Sequence, residues 1–325
     1  MEKIKLNSRK TGNQTFVFLN PPVILSKFNV VGPKEGQGPL RDSFDVILQD
    51  TYDGEKTWER TETKMMETAM RGAIDKANIP LDSVDFILAG DLLNQIISSN
   101  FAARQMGLPF IGLYGACSTM ALSTALGAML IDGEFASKVL CSASSHHDTA
   151  ERQYRVPTEQ GNQRAMYAQW TVTGAGTLLL ANTGEGPKVT SATIGRVIDF
   201  GETDANNMGV AMAPAVADTI LNHLRDLDRQ PEYYDLIITG DLGMIGMKLV
   251  LEILKRSNIQ IPNNFSDCGV MIYSSNQDTH AGGSGCGCSA VVLSGYILNK
   301  MINRELNKLL FIGSGSLHSP ASSLQ

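Results

Sequence analysis

The feature that most restricts the fold is an internal repeat. Asp235-Leu-Ile-Ile-Thr-Gly-Asp241 copies Asp85-Phe-Ile-Leu-Ala-Gly-Asp91, each a short apolar run entered from an acid and left through Gly-Asp. Such a run between turn residues predicts a strand buried on both faces. Further on, Gly287-Cys288-Ser289-Ala290 and the apolar helix after it copy Ala116-Cys117-Ser118-Thr119. The pairing then continues through Glu134 with Glu305, Leu140 with Phe311, Ser142-Ala143-Ser144 with Gly313-Ser314-Gly315, and His147 with His318. Two copies of one βα unit predict two α/β halves, 1–185 and 186–325, related by a pseudo-two-fold axis. The helix starts at Cys117 and Cys288 are expected to meet near that axis, with a pocket lined by both halves.

The first of these helices sets the centre. The run 113–130 opens with a sharply turning Gly115-Ala116-Cys117-Ser118. It then carries small residues (Ala121, Ser123, Thr124, Ala125, Gly127, Ala128) that allow packing on nearly every side. Cys117 falls in the first turn, where free N–H groups and the positive end of the helix dipole lower a thiol pKa and favour an anion. A nucleophilic elbow is built this way, and so is a helix start that is simply buried. The residues alone leave both readings open.

In chain order the pattern predicts strands at 15–19 and 23–31, each closed by proline-bearing turns, and a helix over 57–78. That helix places Met65, Met66, Ala69, Met70, Ala73, Ile74 and Ala77 on one side and Glu59, Glu62, Lys64, Arg71 and Lys76 on the other. The strand 85–91 is followed by a helix through Arg104 and a strand at 110–113. After the central helix a strand at 138–141 opens into Ser142-Ala143-Ser144-Ser145-His146-His147. A polar loop over 151–169 then leads to Thr173-Gly174-Ala175-Gly176 and a strand at 177–181. The loop's Arg152, Arg155 and Arg164, interleaved with Glu151 and Glu159, either gate the pocket and steer an anion or form a solvated surface.

Composition removes other classes. The 325 residues are 43% hydrophobic and 18% charged with a net charge of -6, so no field draws a phosphate backbone and nucleic-acid binding is not expected. Five cysteines at irregular spacings suit reduced thiols, and Cys286-Gly287-Cys288 lacks the spacing of a zinc or redox motif. The longest apolar stretch is cut by Gly133 and Glu134 before it could cross a bilayer. No signal-peptide core follows Met1-Glu2-Lys3-Ile4-Lys5, so membrane association is expected only through a partner.

Duplicated halves, each with a buried helix entered through a Cys-bearing turn, resemble the five-layered αβαβα thiolase-like fold of thiolases and ketoacyl synthases. Cys117 stands at that superfamily's nucleophile position. Three stretches narrow the likeness: Trp58-Glu59-Arg60, the run 149–159 (Thr-Ala-Glu-Arg-Gln-Tyr-Arg-Val-Pro-Thr-Glu), and 168–176 (Ala-Gln-Trp-Thr-Val-Thr-Gly-Ala-Gly). They resemble the stage V sporulation protein AD family over essentially the whole chain. The resemblance implies binding of dipicolinic acid, which accumulates as its calcium complex in the spore core. It also implies a peripheral location at the spore inner membrane and membrane-embedded partners of the same uptake machinery. No resident cofactor is implied; calcium would accompany the ligand.

Departures from the enzyme pattern favour binding over turnover. A condensing enzyme adds to its thiolate two His or Asn groups that stabilise an oxyanion, and losing one such donor costs about 3 to 4 kcal/mol. At those places this chain has Thr239-Gly240-Asp241 and Gly282-Gly283-Ser284-Gly285. An acyltransferase or condensing enzyme using Cys117 remains the alternative. For a flat pyridine dicarboxylate, the expected lining is Cys117 and Ser118 at the first helix start, and Ser144, Ser145 and His146 after the strand. Ser284 and Cys288 are expected at the second start, with Cys268 and Asp199 at the ends of apolar segments. Asp199 would need calcium between itself and a carboxylate. His280 is a weaker candidate near the glycine turn.

Overall fold

The computed structural model describes residues 9–154 and 164–316. The chain opens with β1 (Lys10–Thr11), β2 (Thr15–Val17), β3 (Val23–Val31) and β4 (Val46–Ile47). Helix α1 (Trp58–Ala77) starts where the Thr57 side chain accepts from the Arg60 N–H and ends on a left-handed Asn78. Then follow β5 (Phe86–Gly90), α2 (Ile97–Met106), β6 (Phe110–Gly112), α3 (Thr119–Asp132), β7 (Lys138–Ser145), α4 (His147–Tyr154), β8 (Trp170–Thr171) and β9 (Gly174–Ala181). The rest comprises β10 (Ser191–Thr193), α5 (Met208–Asp226), β11 (Leu236–Thr239), α6 (Gly243–Arg256), β12 (Phe265–Asp267), α7 (Cys268–Ile272), β13 (Gly283–Ser284) and α8 (Cys286–Val292). A π-helical turn (Leu293–Ile297), α9 (Leu298–Ile302) and β14 (Leu309–Ile312) complete it.

Six strands form the first sheet in the order β4-β3-β9-β7-β5-β6, and the second runs β12-β11-β14. Strand β9 shows how the layers arise. Its Leu179 joins Met65, Met66, Met70 and Ile87 in the core under α1 and α2, whereas Leu178 and Leu180 point the other way into the core of α3 and α8. That second core continues to Ile238 on β11, and Ile237 on the opposite face of β11 packs with α5 and α6. The layers are therefore α1/α2, first sheet, α3/α8, second sheet, α5/α6, which is the thiolase-like αβαβα arrangement.

The repeat is visible in hydrogen bonds. Asp85 Oδ2 accepts from Ser137 N and Lys138 N at 2.7 and 2.9 Å, and Asp235 Oδ2 accepts from Asn307 N and Lys308 N at 2.7 and 3.0 Å. These anchors correct the pairing expected from sequence by one residue. Strand β5 sets Ile87 against Leu140 and β11 sets Ile237 against Leu310, so the counterpart of Leu140 is Leu310 and not Phe311. Glu134 likewise corresponds to Arg304, both left-handed at φ 64 and 61. The side chains in these apolar runs are too alike to distinguish neighbouring registers. His318 lies outside the described residues.

Three elements differ from expectation, one being the polar loop expected over 151–169, whose first residues, 151–154, form the end of α4. The strand expected at 138–141 continues through Ser145, because β5 on one side and β9 on the other supply backbone partners along its length. Its serines therefore sit in a sheet rather than a loop. The strand expected at 177–181 begins at Gly174 for the same reason.

Candidate functional site

The first helix start is a locked elbow. Ala116 is left-handed at φ 46, a conformation that costs a non-glycine residue about 1 kcal/mol or more. The turn Ala116–Ser118 is held by Ser118 Oγ donating to Gly115 O at 2.6 Å, and Thr119 Oγ1 donates to Ala116 O at 2.7 Å. Cys117 is buried within it. The chain leaving β14 closes over this elbow: a Cβ at Gly315 would stand 2.6 Å from Gly115 O, so only glycine fits.

The second helix start lies alongside. Helix α8 packs on the Ala116–Ser118 turn and on α3, so the two starts meet. Gly285 N donates to Asp241 Oδ2 at 2.8 Å, Gly287 N donates to Ser145 Oγ at 3.1 Å, and the Cys286 thiol donates to Ser144 O at 2.9 Å. Ser145 Oγ in turn donates to Val172 O at 2.7 Å. Burial pushes the Cys268, Cys286 and Cys288 thiols well up, and nearby carboxylates add to this, Asp91, Glu62 and Asp241 acting on Cys286. Helix-start thiols in such a place are held neutral.

Behind these turns lies a group of buried acids. Glu62 accepts from Ser144 Oγ and Thr149 Oγ1, both at 3.0 Å, yet burial and then the charge of Asp91 push its carboxyl up to about 8. Burial likewise raises Asp91, which accepts from Leu93 N, Ser99 N and Ser99 Oγ. Glu35 is raised by burial to about 6 and accepts from Tyr273 Oη and Thr173 N. Glu62 was expected on the solvent side of α1 and is instead buried. The signal was present: positions 62, 65, 66 and 69 are spaced three and four apart and share one helix face.

The histidines are committed in different ways. His146 is fully buried, with Nε2 against Thr51 O at 2.9 Å and Nδ1 accepting from Asp148 N at 3.3 Å, and burial lowers its pKa to about 4. His280 bonds Ala165 O at 2.7 Å and pairs with Asp278 at 3.1 Å. His147 stacks flat on Trp170 with ring centroids 3.7 Å apart. Over the same indole lie Lys34 Nζ at 4.2 Å and Arg164 Cζ at 4.8 Å, a cluster that sequence reasoning met only through Arg164. Arg152 pairs with Glu59 and lies over Trp58, and Arg155 is outside the described residues.

The structure thus brings Ser144, Ser145, Ser284 and the α8 start together, with Cys117, Cys268 and Cys288 close enough to one another for charge on one to be felt by Cys288. All of these residues are buried. Asp199 is not among them: it is exposed in an irregular surface run, where its carboxylate closes a turn onto Gly201 N at 2.7 Å. Ser118 faces elsewhere as well, into a cavity of about 680 Å³ bounded by α3, β10, α5 and β14, with Thr193, His223 and Phe311 in its wall. That cavity lies between β10 and β14, the position that β9 fills between β3 and β7 in the first sheet. Among the described residues no three carboxylate, thiol or imidazole groups are gathered to hold a metal ion.

Comparison with known proteins fits this geometry. The family model described as stage V sporulation protein AD matches residues 12–325. The stage V sporulation protein AD of Bacillus subtilis (strain 168) is 44% identical over 310 residues, covering 95% of this chain and 92% of that protein. Among solved structures, 3-oxoacyl-[acyl-carrier-protein] synthase III from Aquifex aeolicus superposes with a TM-score of 0.60 at 13% identity, over 91% of this chain and 96% of its own. Acetamide-bound OleA of Xanthomonas campestris gives 0.64 at 13% identity, over 93% and 97%. At such identities the two condensing enzymes share the fold.

Proposed function

The chain belongs to the stage V sporulation protein AD family, so its role lies in sporulation, and from that premise we propose that it binds dipicolinic acid without turning it over. Binding serves uptake of the acid into the developing spore and its release on germination. The observation that carries the non-catalytic half of this reading is the chemistry around the second helix start. There the turn Gly282–Gly285 carries no imidazole, and the thiols beyond it are pushed up and not activated. His146 and His280 have both ring nitrogens engaged with other partners. An oxyanion formed at Cys117 would lack the donors that a condensing enzyme supplies.

A dicarboxylate needs hydrogen-bond donors at two ends of a flat ring, and closely spaced backbone N–H groups and hydroxyls at paired helix starts suit that task. Calcium arrives as part of the cargo. The same family likeness supports a location at the spore inner membrane, held by membrane-embedded partners of the uptake machinery; among the described residues no helix is long and apolar enough to cross a membrane.

Calorimetry with dipicolinate, with and without calcium, tests the reading beside mass spectrometry after incubation with acyl-CoA. Stoichiometric binding of dipicolinate with Cys117 left unmodified is expected. Acylation of Cys117 together with no heat of dipicolinate binding would overturn the proposal in favour of an acyltransferase.

A further inference from the structure

We infer that Lys34 and Arg164 form the seat for one carboxylate of the bound aromatic dicarboxylate, against the indole of Trp170; this rests on the binding role proposed above. Three observations lead there. Lys34 Nζ and Arg164 Cζ lie 4.2 and 4.8 Å from the same ring centroid, so two positive charges lie against one indole. Lys34 makes no ion pair among the described residues, and Arg164 commits only Nη2, to Asp278 O at 2.7 Å and Oδ2 at 3.0 Å. Arg164 Nη1 is buried with no hydrogen-bond partner among the described residues. Asp278 balances one of these two positive charges, and the unused buried guanidinium N–H of Arg164 is costly unless an acceptor completes the set.

The platform is rigid and placed beside the candidate site. Trp170 N donates to Gly282 O at 2.9 Å, and β8 pairs with β13 so that Trp170 faces Gly283. His147 supports the indole from below as a parallel stack. The seat is therefore one strand position from Ser284 and the glycine turn that opens α8. Two acids stand nearby: the Glu35 carboxyl is turned inward to Tyr273 Oη and Thr173 N, and Asp278 bonds Arg164 through Nη2, leaving Nη1 unused. Proximity to Arg164 adds to burial in lowering the Lys34 pKa, which a bound carboxylate would reverse. A carboxylate between them takes one N–H from Lys34 and the free Nη1 of Arg164, and the ring that carries it lies against the indole edge.

The test uses the full chain. Lys34→Met and Arg164→Met are each expected to weaken calorimetric dipicolinate binding at least tenfold while leaving the thermal unfolding midpoint in place, and Lys34→Arg to retain most of the affinity. Trp58→Phe leaves Trp170 as the sole tryptophan, and its emission should change on titration with dipicolinate but not with unsubstituted pyridine. Parent-like affinity in both methionine variants, with no change in Trp170 emission, would overturn the seat while leaving dipicolinate binding intact. Absence of binding to the parent protein would instead overturn the role on which the seat rests.

Discussion

Replacing Glu62 by glutamine isolates one strongly perturbed buried carboxyl. Glu62 is fully buried, accepts from two hydroxyls, and is pushed up to about 8 by burial and by Asp91, against an ordinary 4.5. Because the folded state then binds more protons than the unfolded chain between those values, stability falls as pH rises through that window, by up to about 1.4 kcal/mol per unit. Other groups obscure the lower part. His146 and His223, lowered to about 4 from 6.5, make stability rise with pH until about 6.5, and Glu35, raised to about 6, is half-ionised there and contributes little above about pH 7. Between about pH 6.5 and 8 the Glu62 share is about 1.5 units at that slope, a loss of about 2 kcal/mol, to which the raised Asp91 and Asp267 add in the same direction. At about 2 cal/mol/K of unfolding entropy per residue, this is a fall of about 3 °C in Tm.

The amide of the Glu62→Gln variant cannot titrate. It keeps an acceptor for one of Ser144 and Thr149 and presents its NH2 to the other, so any cost of the exchange is a shift independent of pH. Thermal unfolding followed by circular dichroism at half-unit steps should show the parent midpoint descending from about pH 6.5 to 8 and the Glu62→Gln midpoint descending less, by about 3 °C over that window. Parallel curves for the two proteins would refute the assignment of a protonated Glu62 in the folded state.

Two further substitutions test how the frame is held. Thr57→Ala removes the side chain that accepts from Arg60 N at the start of α1 and should cost about 1 kcal/mol in denaturant unfolding, with no loss in Thr57→Ser. Asp267→Ala strands Thr239 Oγ1 and the N–H groups of Leu242, Gly243 and Val270, all now bonded at 2.7 to 3.1 Å. A loss of more than about 3 kcal/mol is expected in the same measurement, since each orphaned buried donor costs about 1 to 3 kcal/mol.

What the sequence disclosed follows from what each residue type can signal on its own. Strands β5 and β11 were legible because unbroken apolar runs between acids have few other uses, and α1 because Thr57 and the methionine spacing mark a helix start and a buried face. Ser142, Ser144 and Ser145 were read as loop because serine favours turns; only the flanking β5 and β9, distant in sequence, make them strand. Glu62 was read as exposed because a carboxylate is assigned to water until its buried partners are known. The pair of Lys34 and Arg164 was out of reach for another reason: the two are far apart in the chain, and only the β8–β13 pairing sets Trp170 where both can reach it.

These misreadings bear on how the site can hold an anion. Glu35, Glu62, Asp91, Asp241 and Asp267 are all buried close to the elements that frame the two helix starts, and as charged groups they would repel a dicarboxylate. Burial raises Glu62, Asp91 and Asp267, and a carboxyl that titrates near 8 is mostly protonated at neutral pH. Each also accepts from hydroxyl or backbone donors, which disperses whatever charge remains. The protonated Glu62 carboxyl lessens the negative charge of the interior, whereas the cations able to recognise a carboxylate are Lys34 and Arg164. In this division, raising the pH above about 8 should weaken dipicolinate binding through ionisation of Glu62, and Glu62→Gln should remove that dependence without altering affinity at about pH 6.5. Calorimetry at about pH 6.5 and 8.5 checks this, and an affinity loss at the higher value equal in parent and variant would sink it.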